Sequence, residues 1–208
     1  MSEVLYKVLH EDGTGGYTDF VWPKPRGKRP GKWVRAKGNL IVCENGLHLL
    51  RRDDLVHWLD RHIYIAEARE ERFDSDNKIV VREARLIRKL DIWDGRVARL
   101  FACDCAERAL RSVTAKYGEQ DPRSWAAIRV ARRFACGEAS ADDLQTASDA
   151  AWAAWAAWAA SYARAAGAAG AAGAARAARA ASYATRAAEY EWQTARLFEY
   201  LDGKRGVE

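Results

Sequence analysis

Residues 150–188 read AAWAAWAAWAASYARAAGAAGAAGAARAARAASYATRAA, and 24 of these 39 residues are alanine. Every third position from Trp152 breaks the run: Trp152, Trp155, Trp158, Ser161, Arg164, Gly167, Gly170, Gly173, Arg176, Arg179, Ser182 and Thr185. Alanine has the highest helix propensity and no side-chain entropy to lose, so the tract predicts helix. A three-residue step on a helix turns back by about 60° per repeat, and the three tryptophans span about 120°, the width of a buried face. They are expected to pack against a neighbouring helix. A single helix over 141–201 would run roughly 90 Å at 1.5 Å per residue, so a break near Gly167–Gly173 is expected, giving an antiparallel hairpin. A continuous helix whose glycines admit a close neighbour is the alternative.

Upstream of the tract the helical rhythm persists. Val97, Leu100, Phe101, Ala106, Leu110 and Val113 recur at helical spacing through Arg96 to Tyr117. Asp121-Pro122 supplies an N-cap and a proline for the first turn, opening a helix through Trp125, Ile128, Val130 and Phe134 that Gly137 ends. Ser140 with Asp143 forms a capping box with the shorter acid.

Before residue 95 the grammar changes. Val4 to Leu9 and Asn39 to Cys43 read as strands, the second closed by the turn Glu44-Asn45-Gly46. Asp53 to Leu59 reads as a short helix with acid at its start. The stretches 62–68 and 78–87 alternate apolar with polar residues, as half-buried strands do. Four of the nine tryptophans, Trp22, Trp33, Trp58 and Trp93, fall in this half. The fold expected is α+β: a small, mainly-β head domain over 1–95, then an all-α, alanine-rich helical-bundle domain over 96–203.

With 208 residues, 30% of them charged, the chain can bury a core and is not expected to be disordered. A net charge of +5 is mild for a dedicated nucleic-acid binder. The start, MSEVLYKVLHEDG, shows no apolar run of a secretory signal. Arginines 164, 176 and 179 argue against membrane insertion of the alanine tract. Cys43, Cys103, Cys105 and Cys136 form no CxxC pair, so no metal site is expected, and they read as buried, reduced thiols. A cytoplasmic protein is the expectation.

Two stretches can carry chemistry. Between Phe20 and Cys43 stand Lys24, Arg26, Lys28, Arg29, Lys32, Arg35 and Lys37, with no acid among them and with Trp22 and Trp33 interleaved. Cations for phosphates beside rings for bases make a nucleic-acid-binding composition; a solvated basic loop rich in proline and glycine is the plainer reading. The ligand-binding candidates are Lys7, Trp22, Lys28, Arg29 and Trp33. The second stretch is Cys43-Glu44-Asn45-Gly46-Leu47-His48, followed by Tyr64 to Glu67.

Tyr6-Lys7, the Cys43-x-x-Gly46-Leu47-His48 motif and the strand after it resemble an uncharacterised domain of small phage and bacterial proteins. Their order also resembles that of ADP-ribosyltransferases over about 90 residues. That second likeness implies an enzyme using a nicotinamide dinucleotide (NAD), with Lys7 near the early basic position and His48 and Tyr64 lining the cleft. Glu67, Asp76 and Glu83 compete for the late acid that stabilises an oxocarbenium-like state, and Glu67 is the candidate taken here. The segment Asp104-Cys105-Ala106-Glu107, then Asp121-Pro122-Arg123, then Phe134-Ala135-Cys136-Gly137-Glu138 and the alanine-rich helices resemble a family of alanine-rich immunity proteins. That resemblance implies a protein partner.

The leading expectation is a non-catalytic binding protein of phage or bacterial-conflict type, immunity-like or anti-defence. Its head would bind a ligand or macromolecule, and its alanine-rich helices would meet a partner or a second copy. The alternatives are the transferase-like enzyme with His48, Tyr64 and Glu67, and a nucleic-acid binder using the 22–37 loop.

Overall fold

A computed structural model of the chain describes residues 3–15, 18–119, 121–151, 153 and 172–205. The described strands all lie before residue 95: β1 (Leu5–Leu9), β2 (Thr14–Gly15), β3 (Thr18–Val21), β4 (Val34–Arg35), β5 (Leu47–Leu49), β6 (His62–Ser75) and β7 (Lys78–Lys89). Helices α1 (Gly95–Tyr117), α2 (Pro122–Ala135), α3 (141–151) and α4 (Ala172–Leu201) follow. The chain is thus α+β, with a β-rich N-terminal half and helices in the C-terminal half.

The head is organised by the β6–β7 hairpin, which turns at Asp76-Asn77 and pairs antiparallel with β1 on its β6 edge. On the far edge of β7, β5 pairs near the turn (Leu49 opposite Ile79) and β4 further along (Val34 opposite Ala84). Tyr6 and Leu50 exchange both backbone hydrogen bonds, at 2.8 and 2.9 Å, which returns the path β1-β6-β7-β5 to β1 as a ring. Leu5, Leu9, Trp22, Leu49, Tyr64, Ala66, Ile79, Val81, Ala84 and Leu86 form one buried cluster. Burying each such apolar side chain contributes about 1.5–3 kcal/mol.

Two compact units result. The first joins Met1–Asp94 with Tyr190–Arg205, and the second is built on Gly95–Glu189. The head therefore includes the last turns of α4, which a boundary drawn at residue 95 assigns wholly to the helical domain. Tyr6 points away from its neighbours Leu5 and Leu9 and meets Phe198 edge-on at 5.8 Å. The Arg52 guanidinium lies 3.6 Å from the Phe198 ring centre, Tyr190 contacts His57, and Leu197 is completely buried.

In the second unit, Asp121 caps α2 by accepting from the Arg123 backbone N–H at 2.9 Å, with Pro122 in the first turn. Ser140 and Asp143 make both bonds of the capping box ahead of α3. The α1–α2 pair is clasped by Arg132, 2.7 Å from both Asp104 and Glu107. The guanidinium of Arg99 lies over the Phe134 ring.

Several expectations need correction. Residues 39–43 are not a strand: Ile41 and Asn45 bridge a tight turn, Cys43 has a φ of 68°, and the strand begins only at Leu47. The turn forms early because the Asn45 side-chain amide donates to the carbonyls of Lys37 and Asn39, both at 2.6 Å. That turn leaves Cys43 exposed, while Cys103 is buried and Cys105 and Cys136 are half-buried; no disulfide links them. The helix expected over 53–59 is a single 3-10 turn, Leu55–His57. Trp152, Trp155 and Trp158 lie outside the described residues, as does the expected break except for Ala172 and Gly173, which are within α4. No described helix is long and apolar enough to cross a membrane.

Candidate functional site

The basic segment leaves the core at Trp22 and rejoins the sheet nine residues later. Trp22 is 4% exposed. Prolines 23, 25 and 30 restrict φ along the excursion. Arg26 and Arg29 exchange backbone hydrogen bonds at 2.9 and 3.0 Å across a two-residue turn, with Gly27 in the left-handed region at φ 57°. Gly31 then donates to the Leu86 carbonyl at 2.8 Å, and Val34 and Arg35 pair with β7. The excursion is a pinned hairpin carried on the edge of β7.

Arg26, Lys28 and Arg29 along it, and Lys32 and Lys37 on the stretch that follows it, are exposed, and none has a carboxylate partner among the described residues. The adjoining sheet surface is different in kind. There Arg69 pairs with Glu83 at 2.8 Å, Arg35 with Glu70 at 2.6 Å, Arg85 with Glu67 at 2.7 Å and Arg82 with Glu71 at 2.5 Å. Hydrogen bonding from Arg69 holds the Glu83 carboxyl below its usual range. Trp33 sits within this paired surface, with the guanidinium carbons of Arg69 and Arg85 4.1 and 4.5 Å from its ring centre. Such contacts are worth about 0.5–2 kcal/mol each and occupy the ring.

The candidates from the sequence therefore separate. Lys28 and Arg29 stand on the exposed hairpin. Trp22, expected as a stacking ring, is instead a core residue, because its place at the root of the hairpin puts it in the apolar cluster. Lys7 reaches it from β1, its Nζ 5.1 Å from the Trp22 ring centre and 3.0 Å from the His48 carbonyl, to which it donates. Burial lowers the Lys7 pKa to about 8.

The transferase-like set does not converge. Lys7 and Tyr64 are register partners on β1 and β6. His48, however, lies between Leu47 and Leu49, which both pack with the cluster containing Tyr64, so strand alternation turns the imidazole to the other face. There its Nε2 accepts from the Cys43 backbone N–H at 3.4 Å, and burial, then Lys7 and Lys78, lowers its pKa. Glu67 is exposed and engaged by Arg85. Burial, with Asp91 and Glu11, raises the Tyr64 pKa and keeps its phenol protonated. These residues do not form one cleft, and they do not fit a bound dinucleotide.

The second unit holds an open groove of about 540 Å³ lined by Arg99, Cys103, Ile128, Leu144 and small residues of α1 to α3. Its one thiol, Cys103, has a pKa raised by burial, which suits packing better than reaction. Among the described residues no cluster of histidine, cysteine and acid residues could hold a metal ion. The excursion's charge pattern was legible in the sequence, but the pairing that neutralises its neighbours was not. Comparison with protein families, characterised proteins and solved structures gives no match to this chain.

Proposed function

We propose that this is a non-catalytic binding protein whose head holds a polyanion, nucleic acid foremost, on the basic hairpin of residues 22–37. The supporting observation is the contrast in pairing. Arg26, Lys28 and Arg29 on a hairpin pinned at both ends, with Lys32 and Lys37 just after it, lack carboxylate partners among the described residues, while the arginines beside them on the sheet are neutralised. A pinned array of cations loses little conformational entropy when phosphates arrive, and each phosphate neutralised releases counterions.

Neither tryptophan of the segment offers an open ring, since Trp22 is in the core and Trp33 is covered by arginines. The contact proposed is therefore to the phosphate backbone, without base stacking and without sequence preference. The alanine-rich tract is proposed to complete an all-α bundle that meets a protein partner, and the likenesses read in the sequence favour a phage or bacterial-conflict setting in the cytoplasm.

Fluorescence anisotropy with a labelled mixed-sequence duplex and a labelled single strand tests this reading. Wild type is expected to bind both with no preference among sequences, and Lys28→Gln/Arg29→Gln/Lys32→Gln is expected to lose about tenfold or more in affinity while its unfolding midpoint stays put. Equal binding by the triple variant contradicts the proposal.

A further inference from the structure

We propose that Glu70 is a built-in competitor for the polyanion: its carboxylate occupies Arg35 in the free protein, and an arriving phosphate takes its place, adding Arg35 to the cations of the 22–37 segment. The inference rests on polyanion binding by that segment and names what sets its affinity. Arg35 stands on β4, two residues before Lys37, and its side chain is 56% exposed. Its Nη1 donates to Glu70 Oε1 at 2.6 Å and lies 3.4 Å from Glu83 Oε2. The Glu70 side chain is itself 43% exposed. Both partners are open to solvent, and so to a ligand. The neighbouring pairs are built differently. Arg69 holds Glu83 by two bonds of 2.8 Å, and the Glu83 side chain is only 9% exposed. Arg82 donates to the carbonyls of Ala36 and Gly38 as well as to Glu71, and Arg85 lies over Trp33 as well as pairing with Glu67. Arg35 depends on one short bond to an exposed carboxylate.

The backbone at Glu70 points the same way. The pairing of β6 with β7 shifts register between Arg69 and Arg72, and within this bulge Glu70 has a φ of 66°. Glycine adopts that left-handed conformation freely, whereas a residue with a side chain is strained in it. An exposed ion pair offsets little of such strain, so the fold holds this carboxylate beside Arg35 at almost no net gain. A phosphodiester offers Arg35 the same kind of partner, two oxygens sharing one negative charge. Its arrival also releases counterions from the polyanion, which the carboxylate cannot do. Glu83 keeps both bonds from Arg69 when Arg35 turns away, so the exchange leaves the buried part of the network intact.

The test titrates a labelled mixed-sequence duplex with the full-length protein at several salt concentrations, read by fluorescence anisotropy, for wild type, Glu70→Gln, Arg35→Gln and the double variant. Glu70→Gln is expected to bind about two- to fivefold tighter than wild type, the change that follows from freeing an arginine from an exposed pair. Glu70→Gly, which suits a φ of 66°, should repeat that gain. Arg35→Gln should bind more weakly than wild type, with a salt slope shallower by about 0.9, one phosphate contact. In the Arg35→Gln background the gain from Glu70→Gln should vanish, because no pair is left to open; the mere removal of a negative charge near the ligand would act with or without Arg35. No gain from Glu70→Gln, a gain that persists undiminished without Arg35, or an unchanged salt slope in Arg35→Gln overturns the proposal and leaves polyanion binding by the hairpin standing. Failure of the wild type to bind the duplex overturns both.

Discussion

At the scale of single residues, Gly31 sets the geometry of the basic hairpin. A Cβ at this position would stand 2.1 Å from the Pro23 carbonyl oxygen, a backbone atom that has no cheap way to move. Gly31→Ala is expected to destabilise the protein by about 2–3 kcal/mol through overpacking, read from the midpoint of urea unfolding; a cost below about 0.5 kcal/mol would contradict the close approach. Lys7 gives a prediction with the opposite sign. Its pKa is about 8 in the folded protein against 10.5 ordinarily, so the unfolded chain holds this proton more tightly. The penalty is fully present below about pH 8 and fades as pH rises to 10.5, so this group makes stability increase with pH across that window. Lys7→Met is therefore expected to stabilise the protein by about 1–3 kcal/mol at pH 7, less the lost bond to His48, with the gain vanishing near pH 10.5. Denaturant titrations at the two pH values check it, and a constant difference between them would rule it out.

Among the elements, the α1–α2 pair depends on Arg132, which joins the buried Asp104 to Glu107. Removing one member of a buried ion pair leaves the other without its charge, so Asp104→Ala is expected to cost about 2–4 kcal/mol by thermal or urea unfolding. A cost within 0.5 kcal/mol would place the pair among surface bridges. Local rules made α2 readable in advance, since Asp121, Pro122 and the apolar spacing after them act within one turn. Alternation over 62–68 and 78–87 likewise announced two strands, though not their pairing as a hairpin. The continuation of β6 through Arg69-Glu70-Glu71-Arg72 was hidden, because charged residues on both faces break the alternation and are held by ion pairs, such as Arg69 to Glu83 on β7 and Arg72 to Glu3 ahead of β1. Residues 39–43 read as a strand on composition, and the side chain of Asn45 overrode it by tying the turn. The site was partly legible for the same reason: a run of cations is visible in sequence, whereas the burial of Trp22 and the arginines over Trp33 arise only from tertiary packing.

For the whole molecule, the dependence of the head on the end of α4 has no local signal, since helical spacing is the same on either side of Tyr190. Leu197 and Phe198 are buried in the unit formed with Met1–Asp94. A chain ending at Glu189 is expected to lose cooperative unfolding of the head, seen as loss of the near-ultraviolet tryptophan signal, and Leu197→Ala should cost about 2–4 kcal/mol; a truncated chain that melts like wild type would contradict this. The central claim is that a preset array of unpaired cations on the 22–37 hairpin binds phosphates. The most direct measurement is the salt dependence of duplex binding by wild type and by Lys28→Gln/Arg29→Gln/Lys32→Gln. If the hairpin carries the contact, log affinity should fall with log salt with a slope of about −4 to −5 for wild type, and the triple variant should be shallower by about 2.7, near 0.9 per lost contact. Equal slopes for the two proteins, or wild-type affinity independent of salt, would contradict the account.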